Sequence, residues 1–154
     1  MPRIIGAFFP LFLMATATAE KPSRFARKYE LENRTLELAM SVRQFVRKLP
    51  RYMHMSEDVV QLLRASGALG AAYIEVNEAN GRKAALGHIR SCIREAKETH
   101  FWLRVLEVGT SERLVAEKQK LTDEAFALLR IFCAILGKVG TRKTSEQPAE
   151  SSSK

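Results

Sequence analysis

Six side chains between positions 83 and 104 carry the clearest chemical pattern in this sequence. Lys83, Arg90, Arg94, Lys97, Phe101 and Arg104 recur at three-, four- and seven-residue steps, which puts them on one line along a helix. Apolar Ala85, Ile89, Cys92 and Ala96 occupy the opposite side. Cations arrayed along a rod meet the phosphates of a nucleic acid, and an aromatic among them packs on a base or sugar. These six residues are therefore the candidate nucleic-acid-binding set. Binding of this kind is strongly salt-dependent and weakly sequence-specific. An ordinary solvated helix face has the same composition, and Glu95 and Glu98 lie nearby to dilute the field.

Other reactive side chains form poorer constellations. Glu75, Glu78, Glu95 and Glu98 supply the carboxylates of a bundle metal site, but the Glu-x-x-His pairs such sites use are missing; roles in ion pairs and helix contacts fit them better. Met53-His54-Met55 offers soft copper ligands with no second cluster to complete a site. His88 and His100, twelve residues apart, point in different directions on one helix. No cofactor or metal is expected, no catalytic residue is assigned, and the reading is of a non-enzyme.

The chain has 154 residues, 46% hydrophobic and 27% charged, with a net charge of +8 and a pI near 9.8. That length suits one domain with a real core, and the charge favours polyanionic partners. Cys92 and Cys133 read as small hydrophobes within helices rather than as a disulfide or zinc framework. Proline is confined to the ends and to Pro50, and the Asn-Gly pair in the Leu-, Ala-, Glu-, Lys- and Arg-rich middle, Asn80-Gly81, is flanked by helical rather than alternating patterns, so nothing there reads as a strand pair. The fold class is all-α.

Four helices follow from the periodicity. The first covers about 31 to 49, with Leu31, Thr35, Leu38, Val42, Phe45 and Leu49 as its core stripe and Ala39 and Val46 widening it; Pro50 ends it. Ser56 caps a second helix that Glu57 and Asp58 favour electrostatically and that runs to about Glu78, before the Asn80-Gly81 turn. The third covers about 82 to 108 on Ala85, Ile89, Cys92, Ala96, Thr99, Leu103 and Leu106, with Gly109 as its stop. Ser111 caps a fourth, whose stripe Leu114, Leu121, Ala125, Leu128, Phe132, Ile135 and Val139 is interrupted by Lys118. A second stripe there, Phe126, Leu129, Cys133 and Leu136, exceeds what one monomer covers, so self-association is expected. Short connections imply an antiparallel up-down-up-down four-helix bundle, spanning 29–139, between a flexible leader (1–28) and a disordered tail (140–154).

Within the second helix, Ala65 to Ala72 are small apart from Leu69. Gly67 and Gly70 each cost about 0.8–1 kcal/mol relative to Ala in a helix, which suggests that they admit a neighbouring backbone. A turn at Asn80-Gly81 makes facing positions of the second and third helices sum to about 162. Gly70 then faces Cys92, Gly67 faces Glu95, and Arg64 faces Glu98 in an expected ion pair.

The start of the chain supports two readings. Arg3, the apolar run from Ile4 to Ala15 and Ala17-Thr-Ala19 have the layout of an export signal over residues 1–19. Initiation at Met14 instead gives a polar leader and a cytoplasmic protein, which the free cysteines favour. The run is too short and too interrupted for membrane insertion of the protein's core domain.

Residues 29 to 138 resemble the bacterial four helix bundle protein family, which includes proteins encoded in intervening sequences of 23S rRNA genes, and are similar to the accessory variability determinant of diversity-generating retroelements. The likeness rests on Leu62-Leu-Arg-Ala-Ser-Gly-Ala-Leu-Gly-Ala-Ala-Tyr-Ile-Glu75, on Asn77-Glu-Ala79, and most specifically on Ile93-Arg-Glu-Ala-Lys-Glu-Thr-His-Phe-Trp-Leu103. Ala68 and Ala72 depart from it, standing where the family usually has Ser and Asn. The resemblance implies a bundle often assembled as a pentameric ring, without established enzymatic activity, that binds RNA or DNA or scaffolds a nucleic-acid enzyme. Read from the residues themselves, Gly67, Gly70, Arg64, Glu98 and Trp102 are helix-packing residues. A structural protein–protein interaction module is the alternative. A more distant alternative is a ribonuclease similar to HEPN domains, on the Arg94-x5-His100 spacing, although Glu95 replaces the polar residue that usually follows the arginine.

Overall fold

In the computed structural model, residues 24–141 are described, with side chains from 29 to 139. They form α1 (Arg24–Lys48), a 3₁₀ turn (Arg51–Met53), α2 (Glu57–Glu78), α3 (Arg82–Val105) and α4 (Glu112–Thr141). Of the leader and tail assigned from the sequence, residues 1–23 and 142–154 lie outside the described residues, while 24–28 and 140–141 belong to α1 and α4. α1 begins at Arg24, seven residues ahead of the first stripe position, Leu31.

Each helix packs on its chain neighbour, and α1 closes the bundle against α4. Residues 79–81 reverse α2 into α3, and pairwise contacts run in opposite senses at the other three seams. Glu32 bonds Asn77 while Arg43 lies by Gly67; Arg82 reaches Val139 while Lys118 reaches Leu106; Arg34 pairs with Glu124 while Lys48 pairs with Glu117. The architecture is thus an antiparallel four-helix bundle.

The periodic stripes form one core. Val42, Phe45, Val59, Leu62, Leu69, Cys92, Leu103, Leu128 and Phe132 are fully enclosed, because positions three and four apart share a helix face. Ser56 caps α2, its hydroxyl accepting from Val59 N at 3.5 Å and donating to the Met53 carbonyl at 2.8 Å. Gly81 takes φ +96° in the α2–α3 turn, a backbone conformation suited to glycine.

Three details depart from the sequence-based expectations. α3 stops at Val105, three residues early: Leu106 and Val108 instead lie in an extended segment and both point into the core. Lys118, the interruption in the α4 stripe, donates its Nζ to the Leu106 carbonyl at 2.9 Å, satisfying a carbonyl freed at the end of α3. Gly67 and Gly70, finally, do not open α2 towards α3. A Cβ at Gly67 would meet the Arg43 guanidinium of α1 at 3.1 Å, and one at Gly70 the Thr35 carbonyl of α1 at 4.0 Å. The glycines line the α1–α2 side, whereas the buried side of α2 is carried by Val59, Leu62, Ala65, Ser66, Leu69 and Tyr73.

Candidate nucleic-acid interface

α3 carries six cations against two carboxylates. Its buried side, Ile89, Cys92, Ala96, Thr99 and Leu103, fixes which residues must face outward. Lys83, Arg90, Arg94, Lys97, Phe101 and Arg104 are all exposed, so the line read from spacing is a surface feature. Lys83, Arg90, Lys97 and Arg104 make no ion pair with any described residue. From Arg90 to Arg104, successive members are separated by about 4.5–6 Å along the axis at 1.5 Å per residue.

Arg94 differs from the other five. Its Nε and Nη2 both donate to Glu95 Oε1, at 3.0 and 2.8 Å. Glu95 is almost wholly buried, and its Oε2 lies 3.5 Å from Arg64 Nη1 without a hydrogen bond. Arg64 also pairs with Glu98, as the register of 162 requires, and accepts support from Gln61 Oε1, to which its Nε donates at 2.9 Å. Both α3 carboxylates are thereby turned to the α2 seam and engaged there. Arg94 belongs partly to that network, while the remaining cations face solvent.

Two aromatic pairs flank the line. Phe101 is 54% exposed and meets Trp102 edge-on, with centroids 5.0 Å apart and planes at 79°; Trp102 packs on the core. On the α4 side, His100 lies against Phe126, centroids 5.4 Å apart, with Phe126 47% exposed. Burial, and then the Arg104 charge, push the His100 pKa down, so the imidazole is neutral at pH 7 and acts here as a ring rather than a cation. Phe126 was legible only as part of an apolar stripe; placing it beside α3 needs the α3–α4 register, which no turn signal in the sequence supplies.

The other candidate constellations do not converge. Arg94 and His100, six residues apart, sit about 120° apart around α3 and are engaged separately, with Glu95 and Phe126. His54 Nε2 lies 2.9 Å from the Leu49 carbonyl, Met53 packs on the core, and Met55 is 85% exposed, so the three side chains diverge. No group of three His, Cys, Asp or Glu able to hold a metal occurs among the described residues. No helix among them is long and apolar enough to cross a membrane.

A shallow apolar groove of about 350 Å³ lies between α1 and α2. Leu36, Met40 and Ile74 stand exposed along it, and Gly67, Gly70 and Ala71 are among its lining residues.

No family model matches this chain, and no curated protein matches it. Its fold is similar to the crystal structure of a protein of unknown function from the S23 ribosomal protein family of Bacteroides thetaiotaomicron, determined at 1.70 Å. The TM-score is 0.62 at 20% identity, covering 72% of this chain and 98% of that one.

Proposed function

We propose that this protein is a non-enzymatic, homo-oligomeric four-helix bundle that binds nucleic acid, or holds a nucleic-acid enzyme on its substrate, through the outer face of α3. One observation carries the reading: Lys83, Arg90, Lys97 and Arg104 are exposed along one side of α3, with no carboxylate paired to them among the described residues. Leaving like charges aligned and unpaired is unfavourable for the isolated protein and favourable only towards a polyanion. Self-association is supported by the α1–α2 groove, whose exposed Leu36, Met40 and Ile74 offer apolar surface for a second copy. Because that groove involves α1 and α2, an assembly built on it leaves α3 open, and several copies array their cations. The S23 ribosomal family name of the structurally similar protein agrees with an RNA setting.

A salt titration of binding to generic RNA and DNA tests this. Four phosphate contacts give a slope of log K against log salt of about −3 to −4. Reversing Arg90, Lys97 and Arg104 together should flatten it. Arg94 is better left in place, since replacing it also strips Glu95 of a partner. A flat salt response in the unmodified protein would leave the protein-interaction module as the reading.

A further inference from the structure

We infer that the occupant of the basic face is single-stranded nucleic acid, with Phe101 and Phe126 as base-stacking platforms on either side of the Lys97–Arg104 line. This rests on the polyanion reading above and adds to it the strand class and two aromatic contacts.

The placement follows from helix geometry at 100° per residue. Phe101 lies about 40° to one side of Lys97, and His100, which carries Phe126 against it, about 60° to the other. Cations in the middle with rings on both flanks alternate charge and π-surface across the face. Both rings are also held in place. Phe101 leans edge-on against Trp102, which the core anchors, and Phe126 rests on the partly buried His100 ring. Each keeps about half of its surface open to solvent, 54% for Phe101 and 47% for Phe126.

A duplex makes less use of such rings. Its bases are stacked on one another, so a ring reaches them only at a thymine methyl or by unstacking a base step at a cost of a few kcal/mol. Two large exposed aromatics beside its phosphates would remain mostly unsatisfied. An unpaired strand offers base faces that stack on aromatic side chains while its phosphates run along a basic groove. Stacking tolerates every base, so weak sequence preference is expected.

The test measures fluorescence anisotropy of a labelled homopyrimidine strand, as DNA and as RNA, and of the matching DNA duplex, all at one ionic strength. Single strands should bind at least about tenfold more tightly than the duplex. Phe101→Ala and Phe126→Ala should each weaken single-strand binding by about 5- to 100-fold and leave duplex binding unchanged. Phe101→Leu, which preserves apolar volume, should behave like the alanine variant, and unchanged thermal melting verifies the fold. Equal affinity for strand and duplex, with both phenylalanine variants unaffected, overturns the inference while the polyanion reading survives through its salt slope. No binding to any of the three probes ends both.

Discussion

Arg64 of α2 and Glu98 of α3 form an ion pair across the outer edge of the α2–α3 seam, and the same guanidinium faces the buried carboxylate of Glu95 at 3.5 Å. The first contact is half exposed, the second almost wholly enclosed at the carboxylate. Exposed ion pairs contribute little, whereas a buried charge deprived of a partner is costly. Arg64 therefore matters mainly through Glu95. Arg64→Met should cost about 1–3 kcal/mol in urea unfolding, against at most about 1 kcal/mol for Lys48→Met at the α1–α4 pair, whose Glu117 carboxylate is more open to solvent than Glu95. Equal effects would show that Glu95 draws nothing from Arg64.

The glycines give a prediction of opposite sign from the one their spacing suggests. If Gly67 and Gly70 admitted the α3 backbone, alanine at either would clash. In the structure Gly70 has only ordinary contact distance to α1, 4.0 Å to the Thr35 carbonyl, and at Gly67 the neighbour is the far end of the flexible Arg43 side chain. Helix propensity then decides. Gly70→Ala should stabilise the monomer by up to about 1 kcal/mol, and Gly67→Ala should be neutral or mildly stabilising, both read as melting shifts at low protein concentration.

That contrast also shows what the sequence could reveal. Apolar periodicity located the core of every helix, because a stripe such as Thr35, Leu38, Val42 and Phe45 is a direct image of one buried face. The Asn80-Gly81 turn pinned the α2–α3 register closely enough to pair Arg64 with Glu98. Small residues carry no such image: a glycine leaves space on whichever side it faces, and here that side is towards α1. The candidate interface divided in the same way. Exposure of Lys83, Arg90, Lys97 and Arg104 follows from periodicity, but the engagement of Arg94 by Glu95 depends on which carboxylate α2 buries. Phe126 joins the site only through α3–α4 packing.

Lys118 tests how α3 ends. Its ammonium bonds the carbonyl of Leu106, a residue that is itself almost completely buried, so losing the donor leaves that oxygen poorly satisfied. Lys118→Met retains the apolar stem and should cost about 1–2 kcal/mol. Hydrogen exchange should then quicken in residues 103–108 ahead of the rest of α3. Uniform loss of protection would place the effect elsewhere.

Alkaline stability follows from two buried acids of the core. Burial pushes the Cys92 thiol up from 9.0 to about 12 and the Tyr73 hydroxyl up from 10.0 to about 12. Both are neutral when protonated, and the folded state holds each proton more tightly than the unfolded chain does. The stability this represents is fully present below about pH 9 and is lost as pH rises from the unfolded values towards 12, because only the unfolded state can ionise freely. At pH 10 the loss attributable to Cys92 is about 1 kcal/mol. Urea midpoints taken from pH 8 to pH 10.5 should decline accordingly, and Cys92→Ala should shallow the decline while lowering stability at pH 8. The same burial predicts that a thiol reagent labels the exposed Cys133 in the native protein and reaches Cys92 only on unfolding. Rapid native labelling of both thiols, with a pH-independent midpoint, would mean that the α2–α3 seam opens far more readily than its packing implies.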